Sequence, residues 1–271
     1  MRELERELPT DAARVAEQPP IPSLAVVGSG RVGRSIATVA ERAGISVRLA
    51  GRDDAIDACR ESEAALLCVP DGEIAGACEA ILAAVPPLSL IGHTSGATTL
   101  GALAQARAAG ADLFSLHPLQ TIPDGDTELV GAPCAVAGSS EIAMELAREL
   151  AARLGMRPFE VPEDSRAAYH AAAAMASNLL VVLEESAAEL LDRAGVEPPA
   201  GELLAPLVLR TAANWAERGP EALTGPIARG DVDTIARHLE ALRETAPELL
   251  PVYEALTERA QALGAPAEPA R

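Results

Sequence analysis

The sequence contains no lysine. All 22 basic residues among its 271 are arginine, so a reaction that needs a side-chain proton donor cannot use an ammonium group and must find another. Positive charge is scarce as well. The formal net charge of −18 argues against nucleic acid, whose phosphates such a surface repels, and against anionic membrane surfaces. An anionic cofactor or substrate would depend on locally placed arginines or helix N-termini. Cys59, Cys68, Cys78 and Cys134 form no CxxC pair and no ligand spacing with histidine, so neither a zinc or other metal site nor a disulfide framework is indicated, and a reduced, cytoplasmic setting fits. MRELERELPTDAARVAEQPP at the N-terminus has charges where a secretory signal would have an apolar core. No stretch reaches the roughly 18 apolar residues of a membrane span without polar interruption. Residues 1–20 read as a flexible segment and 266–271 as a short tail.

What is present is globular: 49% hydrophobic and 23% charged residues, enough for one large or two ordinary domains. From Pro22 to about Phe159 short apolar runs (SLAVVG, SVRLAG, AALLCVP, LSLIGHT, ADLFSLHP, APCAVAG) alternate with segments of helical spacing. That alternation predicts βαβ units and a doubly wound, mostly parallel α/β domain over 21–160. Beyond Val161 the strand signal disappears, predicting an all-α domain over 161–265. EDSRAAYHAAAAMASNLLVVLEESAAELLDRAG reads as one helix of roughly 30 residues, capped by Asp164 or Ser165 and ended by Gly195. Two further helical segments follow, broken by proline and glycine. The NLLVVL stretch is apolar around its full circumference, which implies burial. Burial against a second copy, giving a homodimer through the helical domain, is favoured over an intrachain bundle.

AVVGSGRVGRSIATVAERAG places Gly28, Gly30 and Gly33 between a strand and a helix. In that context Gly28 permits a tight turn, Gly30 lets the backbone approach a pyrophosphate and Gly33 allows close helix packing, with the helix N-terminus facing the phosphates. Ser29, Arg31 and Val32 complete the loop, and Val69 and Pro70 follow the third strand. At the end of the second strand, where an NAD site offers a carboxylate, stand Ala50 and Gly51, followed by Arg52. This favours a 2′-phosphate and hence NADP(H), while the neighbouring Asp53 leaves room for NAD.

Ligands of open α/β sheets bind beyond the C-terminal ends of the strands. Three polar clusters fall there: Asp71; His93, Thr94 and Ser95; and Ser115, His117, Gln120 and Thr121. Serines and threonines at such places serve equally as turn or helix caps. Pro118 biases His117 toward an extended backbone at a strand terminus. His238 reads as a surface residue.

These features, with LCVPD (67–71), HTSGA (93–97), SLHPLQT (115–121), YHAAAAMASN (169–178) and LTGPIARGD (223–231), resemble the β-hydroxyacid dehydrogenase and pyrroline-5-carboxylate reductase superfamily. The resemblance runs over roughly 20–265 and is greatest to Rossmann-like oxidoreductases whose C-terminal half was long catalogued as of unknown function. It implies NADPH-dependent reduction of a small carbonyl or imine acid. Ketopantoate, on the way to pantothenate, is the concrete candidate, and cyclic imines such as pyrroline-5-carboxylate are its nearest competitors. A dinucleotide-binding sensor or scaffold without turnover is a third reading. In the hydroxyacid dehydrogenases the helix over 169–178 carries a proton-moving lysine and, four residues later, a substrate-holding asparagine. Asn178 matches the asparagine, but Ala174 stands in the lysine position. At about 100° per residue, His170, Ser177 and Asn178 share one side of a continuous helix. A histidine with its ordinary pKa near 6.5 can protonate an alkoxide at neutral pH, so His117 or His170 is expected as donor and Asn178 as orienting group. His93, Thr94, Ser95 and Gln120 are expected against substrate. Arg229 is a candidate for the substrate's carboxylate, because a guanidinium offers it two parallel bonds. Tyr169, about 100° from His170, is assigned to packing.

Overall fold

A computed structural model describes residues 21–264; the segments expected over 1–20 and 266–271 lie outside the described residues. The chain divides into two compact units between Ala173 and Ala174.

In the first unit the elements alternate as the sequence predicts. They are β1 (Leu24–Val27), α1 (Arg31–Arg42), β2 (Val47–Ala50), α2 (Ala55–Arg60), β3 (Ala64–Leu67), α3 (Ile74–Ala84), β4 (Leu90–His93), α4 (Ala104–Ala108), β5 (Asp112–Pro118), β6 (Pro133–Gly138), α5 (Glu141–Arg153) and β7 (Arg157–Glu160). The seven strands form one sheet in the order β2-β1-β3-β4-β5-β6-β7. Only β5 and β6 pair antiparallel. Successive residues of a strand point to opposite faces, and both faces are covered: Leu24, Val26, Leu66, Phe114 and Leu116 enter one core, while Ala25, Val27, Ala65, Leu67 and Leu113 enter the other. Central parallel strands buried on both sides read as continuous apolar runs, which is why β1 and β3 were visible in the sequence. β7, Arg-Pro-Phe-Glu, is an edge strand with no fully buried residue, so no apolar pattern announced it.

The predicted 30-residue helix is interrupted. Residues Glu163–Ser165 form a short 3-10 turn, so Asp164 and Ser165 lie within it rather than capping a helix. α6 (Arg166–Ala176) and α7 (Asn178–Arg193) follow, separated by Ser177 with φ −129° and ψ −78°. Gly195, at φ +69°, takes the left-handed conformation just past the end of α7. The first unit extends past residue 160 because Arg166, on α6, is bonded to Ser115 in β5.

The second unit contains α7, α8 (Ala200–Arg218), α9 (Gly225–Ala228), α10 (Val232–Thr245) and α11 (Leu250–Gly264). Pro206 sits inside α8 without breaking it, whereas Pro247 opens the turn that divides α10 from α11. Asp231 caps α10 by accepting from the backbone N–H of Thr234 at 3.1 Å. α7 packs against α8, and α9 against α10 and α11. At the end of α7, Arg193 donates to the carbonyl of Thr245 at 3.2 Å. No residue of α7 is buried within the chain, so the intrachain bundle does not cover it; Leu179 is 55% exposed, Val181 61% and Leu209 of α8 71%. Among the described residues one span, Glu163–Arg193, is long and apolar enough by length and composition to cross a membrane. The break at Ser177 interrupts it, and its first part is tied by Arg166 and Tyr169 to side chains of β5.

Candidate active site

The glycine loop is built for close approach. Gly28 has φ +119°, and a Cβ there would stand 2.2 Å from the carbonyl oxygen of Cys68. A Cβ on Gly33 would stand 1.8 Å from the carbonyl oxygen of Gly28. Both glycines are therefore required by neighbouring backbone. Gly30 differs, with nothing within 4 Å of its Cβ position, so its backbone is open on the side a ligand would occupy. It precedes α1, whose N-terminus has no side-chain cap and no acidic residue in its first turn. Uncapped N–H groups at a helix start are an anion site.

Two cavities flank this loop. One, of about 680 Å³, is lined by Gly28, Ser29, Gly51, Arg52 and Val69. Arg52 pairs there with Glu73 at 2.9 Å, its side chain 85% exposed. Ala50 is buried and Gly51 bears no carboxylate. The other cavity, of about 570 Å³, is lined by Gly30, Arg31, Val32, Val69, Pro70, Asp71, Thr94, Ser95, Gly96, His117, Gln120 and His170. The sheet brings together here residues that are 140 positions apart.

The two histidines of this cavity have different supports. His117, at the end of β5, is paired through its backbone with Ala135 of β6, which holds it at the strand terminus expected from Pro118. Its Nδ1 is 2.8 Å from the Tyr169 hydroxyl, the rings meeting edge to face. The ring of His170 lies 5.7 Å from that of His117 at 74°. Its Nδ1 is buried without a partner among the described residues; Glu163 accepts instead from Arg166 and from the backbone N–H of Leu100.

Several expectations change. His93 is fully buried and does not line the cavity: its Nδ1 accepts from the Ser95 N–H at 3.2 Å and its Nε2 lies 3.3 Å from the carbonyl of Thr99. Both ring nitrogens are thereby committed, and His93 supports the loop rather than a substrate. The Ser95 hydroxyl accepts from the Thr98 N–H at 2.9 Å, a local turn, while Thr94 donates to the carbonyl of Leu67 at 3.4 Å. Burial, with the nearby positive charge of Arg166, lowers the pKa of His93 to about 4. Burial, with His170 and Arg166, likewise lowers that of His117 to about 4. His117 is therefore neutral at pH 7, and the imidazolium expected as proton source is not its resting form. Tyr169 is no mere packing residue, and burial raises its hydroxyl to about 12. Cys68 lines the same cavity as a neutral thiol, pushed by burial to about 12.

Asn178 begins α7 and Arg229 is exposed beside Asp231, both in the helical unit. The helical angle that placed Asn178 and Ser177 beside His170 assumed an unbroken helix, and the break at Ser177 removes that basis. Arg166 was missed: it is 1% exposed and donates to Ser115 Oγ and to the carbonyl of Ser95, each at 3.0 Å. The signal was available in RAAYH, since Arg166, Tyr169 and His170 at i, i+3 and i+4 share one helix face. Among the described residues no group of three or more side chains could hold a metal ion.

Residues 132–260 match the protein family described as a domain of unknown function, DUF2520. No curated protein matches the sequence. Among solved structures, a Bacteroides fragilis protein assigned as an NADP oxidoreductase is 20% identical with a TM-score of 0.73, over 89% of this chain and 98% of that one. A reductive aminase from Aspergillus terreus, solved with NADPH and ethyl levulinate, is 22% identical with a TM-score of 0.65, over 89% and 93%. A pyrroline carboxylate reductase from Plasmodium falciparum with NADP bound is 12% identical with a TM-score of 0.60, over 91% and 99%. At these identities the likeness is one of fold, and that fold is the Rossmann-like, two-part architecture the motifs resemble.

Proposed function

We propose that this chain is an NADP(H)-dependent reductase of a small carbonyl or imine compound. One observation carries the reading: the open backbone at Gly30 and the uncapped start of α1 border a cavity whose wall holds His117 and His170. The residues present fit a dinucleotide. The α1 N-terminus would hold the pyrophosphate, Val69 and Pro70 would flank the nicotinamide side, and Arg52 would meet the 2′-phosphate where Ala50 and Gly51 supply no carboxylate to a bare ribose. Bound NADPH supplies the hydride; the side chains of the cavity orient the acceptor and manage the proton. The similar structures named as an NADP oxidoreductase, a reductive aminase and a pyrroline carboxylate reductase support this class of reaction.

Ketopantoate is the first 2-oxo acid to test. Arg31 is the one arginine lining this cavity among the described residues, and a carboxylate substrate would pair with it. A cyclic imine carboxylate is the second reading, favoured by the neutral state of His117, because an iminium carbon accepts hydride without a strong proton donor. The role proposed for Asn178 rests on the family resemblance, and that for Arg229 on a guanidinium's two parallel bonds to a carboxylate. NADPH oxidation with ketopantoate, pyrroline-5-carboxylate and no substrate, repeated with NADH, decides between them. Turnover of ketopantoate supports the oxo acid, turnover of pyrroline-5-carboxylate alone supports the imine, and cofactor binding without turnover would overturn both in favour of a sensor.

Cofactor preference has its own test. Arg52→Ala is expected to weaken NADPH about tenfold, the size of one lost charge-assisted contact, with little effect on NADH. Glu73→Gln, which frees Arg52 from its ion pair, is expected to act in the opposite direction. Titration by protein fluorescence would show both; equal losses for the two cofactors would count against Arg52.

A second copy of this chain is the proposed cover for the apolar residues of α7 and α8, in a cytoplasmic protein. Leu179, Val181, Val182, Leu207 and Leu209 remain exposed in the single chain, while the stretch 178–183 carries no charge that would oppose self-association. Light scattering is expected to give twice the chain mass, falling to one in Val181→Asp/Leu207→Asp; a monomeric wild type would end the proposal.

A further inference from the structure

We propose that Arg166 is the positioning residue of this site: one buried guanidinium fixes the strand end that carries His117, the loop that carries Ser95 and Gly96, and the helix that carries His170. The inference rests on the reductase reading and goes beyond it, in naming what holds three segments of the cavity wall in one geometry. Arg166 does this from behind the wall, without lining the cavity itself.

Three observations lead to it. Arg166 is 1% exposed, and its Nη1 donates to Ser115 Oγ and its Nη2 to the Ser95 carbonyl, each at 3.0 Å. Ser115 precedes His117 by two residues on β5, so both point to one side of the sheet. Ser95 adjoins Gly96, and His170 follows Arg166 by one turn of α6. Each bond thus stands beside a residue of the wall. Next, the wall is packed to contact where the three segments meet. A Cβ on Gly96 would stand 2.6 Å from His170 Nδ1 and 2.7 Å from His117 Nε2. Both imidazoles therefore rest against a bare α-carbon, and a small displacement of the loop moves both rings. The third is Glu163, which accepts from Arg166 Nη1 at 3.3 Å and from the Leu100 N–H at 2.9 Å. The loop is held in this way at Ser95 and again at Leu100, and His93 stiffens it from inside.

A guanidinium suits this place. The two Nη atoms of its rigid fork reach an oxygen on β5 and another on the loop together, whereas an ammonium has a single nitrogen to share between them. Its charge is permanent and buried, paired with the half-exposed carboxylate of Glu163. His117 faces that charge together with His170 and Tyr169 on α6, His93 on β4 and Asp71 after β3. Burial, His170, Arg166 and His93 oppose a second proton on His117, while Asp71 favours one. Arg166 thus acts on both where His117 stands and the form in which it meets a substrate. Its partners, Ser115, Ser95 and Glu163, include no residue of the glycine loop.

Three variants test this role. In Arg166→Met the ring signals of His117 and His170 are expected to move in ¹H–¹³C spectra of the NADP⁺-bound protein, assigned with His117→Gln and His170→Gln. His117 is expected to titrate at higher pH than in the wild type, and kcat to fall about 100-fold, the cost of reacting groups misplaced by about 1 Å. NADPH is expected to bind as before, because the glycine loop and Arg52 keep their surroundings. Arg166→Lys keeps the charge but not the fork, and is expected to restore the titration of His117 and only part of kcat. Ser115→Ala cuts one bond at nearly constant volume and serves should Arg166→Met not fold; it is expected to move the His117 signal and lower kcat about tenfold. Unchanged ring signals and kcat in Arg166→Met, or in Ser115→Ala where the first does not fold, would overturn the proposal. So would a loss of NADPH binding in proportion to kcat, the mark of a purely structural role. If the wild type reduces no substrate, the NADPH oxidation assay has refuted the reductase reading, while the ring signals and their titration still decide whether Arg166 positions the histidines.

Discussion

Replacing Gly28 with alanine is expected to destabilise the α/β unit by about 3 kcal/mol and to abolish NADPH binding. Two costs combine. A φ of +119° is closed to residues with a Cβ, and the added carbon would stand 2.2 Å from the Cys68 carbonyl oxygen, a backbone atom fixed in place by the bond from the Cys68 N–H to Val27 at 2.7 Å. Conformational strain of about 1–2 kcal/mol and a clash of about 1–3 kcal/mol give that total. Gly30→Ala is the control that separates folding from binding. Its Cβ meets nothing within 4 Å, so the unfolding midpoint should be nearly unchanged, yet the methyl group would occupy the side on which a pyrophosphate must approach, weakening NADPH at least tenfold. Urea unfolding and cofactor titration of both variants suffice. A Gly30→Ala protein that binds NADPH normally would remove the loop from the cofactor site.

Stability is expected to fall steeply between pH 6.5 and 4. His93 and His117 both have folded pKa values lowered to about 4, so the folded state resists protons that the unfolded chain takes up below 6.5. The stabilising difference is complete above pH 6.5 and is lost as pH falls toward 4, with a slope of about 1.4 kcal/mol per pH unit for each histidine and a total on the order of 3 kcal/mol each. His93→Gln cannot charge, so it should remove one proton's worth of that slope while acidic residues keep theirs. Urea midpoints at pH 7, 6, 5 and 4.5 would show it; parallel curves for wild type and variant would mean that His93 titrates normally. The same shift predicts no change in kcat between pH 6 and 8 from His117, which stays neutral throughout.

Most of the α/β unit was legible because its order depends on local pattern. Buried central strands must be apolar on both faces, and a phosphate loop must carry glycine where backbone meets backbone, so six strands and the loop could be read from Leu24 to Gly138. β7 escaped because an edge strand has no buried face to impose a pattern. The single long helix failed at Ser177 because the sequence around it has no proline or glycine to mark the break. The site residues divide the same way. His117 was found through Pro118 and its place at a strand end, whereas His93, two steps from equally promising neighbours, turned inward to hold its own loop. Tyr169 and Arg166 were hidden because their partners, His117 and Ser115, lie more than 50 positions away in the chain.

The sequence by itself therefore determined the layered fold, the glycine loop and the absence of lysine, since each is fixed by residue type at short spacing. Only the tertiary structure decided which histidines face the cavity, that His117 rests neutral, and that a phenol stands behind it, because burial and long-range hydrogen bonds are properties of the packed chain.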